Sequence, residues 1–190
     1  MKKLSVVIIT KNEEKNIRRC LDSVSWADEI VLIDSQSEDN TRAIAEEFGA
    51  KIYSPEWKGY GHAKQEGVKH CSHNWILSID ADEVITEELK SEIQLVLSVE
   101  NPKDGYLIPR KTNFMGRWIN HSNWYPDFVL RLFNKEKGGF NDNYVHEAVE
   151  IDGPKDYLNH DMLHYSYPDL GEYFRKFNSY TTMGAEELAR

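Results

Sequence analysis

Cysteine is scarce in this chain, with two in 190 residues, and both Cys20 and Cys71 fall on the apolar side of expected helices. A disulfide framework and a cysteine-rich zinc site are thereby excluded, and a reducing, cytoplasmic location is expected. Long apolar runs are missing as well. The opening M-K-K-L-S-V-V-I-I-T-K-N-E-E loses its apolar character after Ile9 and turns charged, so it reads as a first strand and not as a signal peptide. No window approaches the roughly 18 apolar residues of a membrane span, so any membrane contact is expected to be peripheral, on the inner face of the cytoplasmic membrane, or to lie beyond these residues. Positive charge is in deficit: 23 Lys and Arg face 32 Asp and Glu, a net charge of −9. That balance argues against a nucleic-acid partner, and any phosphate handled here needs a metal or a local basic patch. Repeats and low-complexity tracts are absent too. What the chain does have is 40% apolar and 12% aromatic content, enough to bury one domain's core.

Short β-branched runs alternate with helical periods over the first hundred residues. Ser5–Thr10, Ile30–Ile33, Lys51–Tyr53 and Trp75–Ile79 read as buried strands. Between them, Ile17, Cys20, Leu21 and Val24 make one face of a helix over 13–24, S-Q-S-E-D-N-T offers N-caps before Ile44, Ala45 and Phe48, and a third helix runs through Lys64, Val68 and Cys71. Thr86 caps a fourth helix with Leu89, Ile93 and Leu97 inward. This alternation implies an α/β fold with a parallel, doubly wound sheet, whose ligands bind at the carboxyl ends of the strands. Thr10, Asp34 and Asp80 then share one rim. From Gly105 the texture changes to aromatic-rich short strands, G-Y-L-I-P-R, D-F-V-L-R-L-F and Y-V-H-E-A-V-E-I, which are expected to extend the sheet. A last helix spans 170–190. The expected division is one domain, with an alternating α/β half over 1–100, an aromatic-rich half over 101–168 and the C-terminal helix over 169–190.

The run N-W-I-L-S-I-D-A-D-E-V ends a buried strand in three carboxylates, two spaced as D-x-D. In extended geometry Asp80 and Asp82 project to the same side, which suits a hard divalent cation, Mn²⁺ or Mg²⁺, holding a substrate diphosphate; repulsion between them is then relieved only by that cation. The plain alternative is an acidic loop capping the next helix. H-D-M-L-H (160–164) mimics a zinc-protease spacing, but its flanking tyrosines and Pro168 favour extended chain. The acidic run after Asp34 fails the calcium-loop pattern for want of its glycine.

Taken together, T-K-N-E (10–13), I-D-S-Q-S-E-D-N-T (33–41) and D-A-D (80–82) resemble the family-two inverting glycosyltransferases of the GT-A fold, and the likeness spans essentially the whole chain. The resemblance implies that Thr10, Glu13 and Asp34 contact the nucleoside of a UDP-sugar donor, with Lys11 beside them, that Asp34 accepts from the base N–H, that Asp80 faces the ribose and that Asp82 faces the metal. Where many relatives carry arginine before the fourth strand, this chain has A-K-Q-E-G, so the part of Lys64 in the nucleotide site stays open. The segments W-Y-P-D-F-V-L-R-L-F and Y-V-H-E-A-V look most like enzymes that glucosylate the lipopolysaccharide inner core, implying UDP-glucose and a saccharide or glycolipid acceptor.

An inverting transfer needs a general base. Period two places Glu147 on the face of Val145, Val149 and Ile151, a carboxylate intruding into an apolar row, where desolvation favours a basic carboxylate. A strand-edge glutamate facing water is the plain alternative, and Asp127 is the second candidate base. Trp124, Arg131 and His146 are candidates for acceptor or diphosphate contacts. Residues 103–138 hold seven basic residues against three acidic ones, an excess expected to face an anionic acceptor or membrane. A nucleotidyltransferase is the alternative enzyme class, but it would open with a glycine-rich phosphate loop, and T-K-N-E-E has no glycine. A non-catalytic nucleotide-sugar-binding domain is the other alternative.

Overall fold

The computed structural model describes residues 2–141 and 147–188. In chain order the elements are β1 (Leu4–Thr10), α1 (Ile17–Val24), β2 (Glu29–Asp34), α2 (Thr41–Glu47), β3 (Lys51–Tyr53), α3 (Tyr60–His70), β4 (Trp75–Asp80), β5 (Glu83–Ile85) and α4 (Glu87–Ser98). They continue with β6 (Gly105–Phe114), β7 (Arg117–Trp118), β8 (Asp127–Asn134), β9 (Gly138–Phe140), β10 (Val149–Ile151), β11 (Lys155–Tyr157), β12 (Met162–Tyr167) and α5 (Leu170–Leu188). One ten-stranded sheet carries the order β3-β2-β1-β4-β8-β6-β12-β5, with β7 and β11 added to β6, while β9 and β10 pair separately. The first four of these neighbours are parallel; β8 runs antiparallel between β4 and β6. This is the mixed α/β, mostly parallel sheet of the GT-A architecture that the resemblance implied.

β1 lies at the centre, and its alternate residues feed two cores. Val6 and Ile8 join the layer containing α1 and α4 through Leu21, Leu89 and Ile93, whereas Val7 joins Val31, Ile33, Val68 and Phe133 on the other face. A strand buried on both faces needs an unbroken apolar run, which is why V-V-I-I shows no alternation. Gly67 lets α3 lie directly on the sheet, since a Cβ there would collide with Val7 Cγ1 and meet Ile33 Cγ1 at 3.1 Å.

Of the short elements, β3 has the bounds expected from the sequence, whereas β5, β7, β9 and β11 were not visible in it. α1 begins at Ile17 instead of Glu13, because 13–16 forms a turn in which the N–H groups of Asn16 and Ile17 both reach Glu13 O. β5, only three residues long, follows the acidic turn directly and pairs with β12. Met162–Tyr167 is extended, as its tyrosines suggested. Among the described residues no helix is long and apolar enough to cross a membrane.

Candidate functional site

Parallel register sets the rim. Thr10 is opposite Asp34 and Ile9 is opposite Asp80, so three neighbouring strands run out at one level. Above them opens a cleft of about 640 Å³ lined by Thr10, Lys11, Glu13, Asp80, Asp82, Arg110, Glu147, His164 and Lys176, with Trp57 and Tyr60 at the β3 side. The first two loops are stitched together over this rim. Asn12, at φ 54, donates its N–H to Ser37 Oγ and accepts from the Glu38 N–H, both at 2.8 Å; Glu13 N donates to Thr41 Oγ1 at 2.8 Å. Asparagine tolerates that left-handed backbone better than most residues. The Ser/Asp/Thr-rich stretch therefore acts mainly as a frame for the T-K-N-E loop: Asn40 itself makes no side-chain cap to α2.

A row of alternating charges runs beneath the cleft. Glu147 Oε1 meets Lys64 Nζ at 2.6 Å, and the same ammonium meets Asp80 Oδ1 at 2.9 Å. Asp80 Oδ2 accepts from Arg131 at 2.8 Å, and Arg131 continues to Glu83 Oε1 at 3.1 Å. Glu83 also faces Arg110 at 3.3 Å, and Arg110 binds Asp127 Oδ2 through Nε and Nη2 at 2.9 and 2.6 Å. Lys64 is 1% exposed and Glu83 fully buried. Burial alone would raise the Asp80 carboxyl, but Arg131 and Lys64 outweigh it and hold Asp80 well below the ordinary carboxylate range.

Asp82 stands in a second cluster. Its Oδ2 accepts from Lys176 Nζ at 3.1 Å and lies 3.5 Å from His164 Nε2. Burial works against its charge, yet His164 and Lys176 keep it well below the usual value. Burial, with Asp82 and Glu172 adding repulsion, pushes the neighbouring Glu13 upward despite a hydrogen bond from Asn16. Like-charge repulsion in D-A-D is thus relieved by four basic side chains of the protein itself, correcting the expectation that only a cation relieves it.

For a divalent cation the donor set fits in part. Among the described residues no group of three His, Cys, Asp or Glu side chains is arranged around one point. Asp82 and His164 nevertheless offer a carboxylate and an imidazole side by side, and Thr112 Oγ1 at 3.4 Å from Nδ1 orients the ring with Nε2 toward the cleft. Two protein donors with the remaining positions left to diphosphate oxygens and water is an ordinary arrangement for Mg²⁺ or Mn²⁺ on a nucleotide. His164 entered the sequence reading only as half of H-D-M-L-H, and Lys176 not at all, because nothing local shows that β12 and α5 return to the rim.

The remaining candidates divide. Glu147 lines the cleft but precedes β10 instead of lying in it, so its expected place in a strand row is corrected, and it is paired with Lys64. Asp127 sits behind Arg110 and is not in the lining. Asp34 is fully buried behind the wall, accepting from Ser37 N at 3.1 Å, with Arg42 3.3 Å away, while Ser35 and Gln36 face the cleft. Trp124 packs edge-on against Phe114 away from the lining, and Arg131 lies beneath it. His146 falls outside the described residues. The basic excess of 103–138 divides: Arg131 is buried and Arg110 half-buried in the charge row, Lys111 faces Asp161 at 3.7 Å and Lys135 donates to Cys71 O at 2.7 Å, while Lys103, Arg117 and Lys137 are exposed. Part of the expected basic surface therefore turns inward.

Residues 5–151 match the family described as Glycosyl transferase family 2. The chain is 34% identical over 203 residues to an uncharacterized glycosyltransferase of Rickettsia felis, covering 100% of this chain and 71% of that protein. It is 30% identical over 192 residues to the lipopolysaccharide core biosynthesis glycosyltransferase LpsC of Rhizobium meliloti, covering 97% of this chain and 71% of LpsC. Its fold is similar to that of S. aureus TarS, with a TM-score of 0.64 at 19% identity, over 91% of this chain and 62% of the TarS chain. With the motifs on one rim and these likenesses spanning the chain, the protein belongs to glycosyl transferase family 2.

Proposed function

We propose that this cleft transfers a sugar, glucose from UDP-glucose, with inversion onto a hydroxyl of a saccharide or glycolipid acceptor in lipopolysaccharide core assembly, in the cytoplasm. The observation that carries the reading is that one cleft is lined both by Asp82 with His164 and by Glu147, which Lys64 links to Asp80. Likeness to LpsC supports the acceptor class. In this reading residues 1–100 hold the donor and 101–168 shape the acceptor side.

Asp82 and His164 would hold Mn²⁺ or Mg²⁺, which when bound supplies positive charge to the departing diphosphate. Thr10, Lys11 and Glu13 line the end that receives the nucleoside. Lys64 pins Glu147 Oε1, leaving Oε2 to accept the proton of the acceptor hydroxyl. The hydroxyl oxygen attacks the anomeric carbon, the carbon–oxygen bond to the β-phosphate breaks, and its electron pair leaves with UDP. Attack from the side opposite the leaving group inverts the anomeric configuration.

UDP release from a panel of UDP-sugars, with core oligosaccharide present and with Mn²⁺, Mg²⁺ or EDTA, tests this. UDP-glucose is expected to turn over fastest and to stop with EDTA. Absence of turnover with every UDP-sugar and metal would contradict the reading.

A further inference from the structure

α5 contributes one charged group to the cleft. Tyr173 holds the helix by packing edge-on against Phe114 and Tyr167, at 5.8 and 5.3 Å, while Leu170, Phe174 and Phe177 point outward. Lys176 points inward. Its Nζ donates to Asp82 Oδ2 at 3.1 Å and to Ser166 O at 3.2 Å, over the Tyr167 ring at 5.6 Å. A counter-ion for a buried acid explains the contact, but not why the ammonium also lines the open cleft.

The charges around that cleft supply the reason. Its lysines and arginine are Lys11, Arg110 and Lys176, beside the His164 imidazole, and its acids are Glu13, Asp80, Asp82 and Glu147. Arg110 is committed to Asp127 and Glu83, and the ammonium beneath, Lys64, to Asp80 and Glu147. Lys11 lies at the nucleoside end in this reading, so a diphosphate entering beside Asp82 draws on Lys176, which sits on a flexible four-carbon stem beside the very oxygen a divalent ion would take.

We propose that Lys176 is a diphosphate-binding residue that exchanges partners: it holds Asp82 when the cleft is empty and hydrogen-bonds the donor's phosphate when a cation takes Asp82. No helix movement is required, only rotation of one side chain. The inference rests on the nucleoside-diphosphate reading of the cleft. Lys176 forms no covalent bond; it donates hydrogen bonds to oxygens that gain charge as UDP departs.

Calorimetric titration of uridine, UDP and inorganic pyrophosphate into the wild type, K176M and K176R, without metal and with Mg²⁺, tests it. Loss of one charge-assisted hydrogen bond is expected to weaken UDP and pyrophosphate binding to K176M about tenfold or more, with uridine unchanged and K176R close to wild type. Manganese binding without nucleotide, read by electron paramagnetic resonance, is expected to tighten in K176M because the competing ammonium is gone. Unchanged UDP and pyrophosphate affinity in K176M would overturn the role of Lys176 alone. Failure of the wild type to bind UDP at all would overturn the reading of the cleft together with it. Should K176M not fold, K176Q replaces it in the same comparison.

Discussion

Lys64 is the residue on which the two sides of the cleft meet. An ammonium 1% exposed survives in the core because two carboxylates, Asp80 and Glu147, face it at 2.9 and 2.6 Å. Removing it leaves both acids without their shared cation, so K64M is expected to lose about 3–5 kcal/mol of stability in urea unfolding, the usual cost of breaking a buried pair. A loss below about 1 kcal/mol would show that water replaces the ammonium without penalty. Asp127 tests the other side of the argument. Its carboxylate only backs Arg110, which keeps Glu83 as a second partner. D127N is therefore expected to turn over within a few-fold of wild type, and a hundredfold loss, about 2.7 kcal/mol, would move the base to Asp127. Both D-A-D and Glu147 were legible as residues of interest. Lys64 and Arg131 were named as well, but their pairing with these acids was not legible, and Lys176 and the rim position of His164 were missed, because the four lie on different elements and meet only in three dimensions. Glu83, the third acid of the opening run, shows the limit clearly: in sequence it looks like more of the same charge, whereas in the fold it is fully buried and accepts from Asp80 N at 2.8 Å, fixing the turn.

At the scale of elements, the long periodic segments and the short β3 were readable, and most of the other short ones were not. α4 shows why: Thr86 Oγ1 accepts from Leu89 N at 3.1 Å, and Leu89, Ile93 and Leu97 are all buried, a cap and a period that local sequence states outright. β5, β7, β9, β10 and β11 have two or three residues each, too few to show a period, and exist because a neighbour pairs with them. The far end of the sheet is tied by Glu29, which accepts from Ser5 Oγ, Lys51 Nζ and both the N–H and hydroxyl of Ser72. Burial opposes its charge, but these donors win and lower its pKa from 4.5 to about 2. Because the folded value is depressed, the ionised form is the stabilised one. Its contribution is complete above the unfolded value near 4.5 and disappears as pH falls toward 2. E29Q is thus expected to be about 2–3 kcal/mol less stable than wild type at pH 7, with the gap narrowing between pH 5 and pH 2 in urea melts. A gap independent of pH would contradict the linkage. α3 depends on a different device. G67A must push Val7 or Ile33 aside, and a loss of about 1–3 kcal/mol is expected from that overpacking, measured the same way. An unchanged midpoint would mean that α3 is free to lift from β1.

For the whole molecule, the net charge of −9 does not describe the site. Acid and base are sorted so that the cleft floor is an alternating row, and the apparent basic stretch of 103–138 supplies much of its positive half. Sequence counting does not separate Lys103, Arg117 and Lys137, which stay exposed, from Arg110 and Arg131, which turn inward, because linear proximity says nothing about the carboxylates of β4 and β5 that reach the two arginines. The parallel half of the sheet places T-K-N-E and D-A-D on one rim, and the antiparallel half returns Arg110, Arg131 and His164 to it. That return brings basic groups and an imidazole to a rim that the parallel half supplies with carboxylates. The central claim is that Glu147 takes the acceptor proton in this site. It is tested most directly by UDP release from UDP-glucose in E147Q, measured beside UDP affinity in the same protein. UDP affinity is expected to stay within a few-fold of wild type while turnover falls about a hundred- to ten-thousandfold; near-normal turnover in a folded, UDP-binding E147Q would contradict the account.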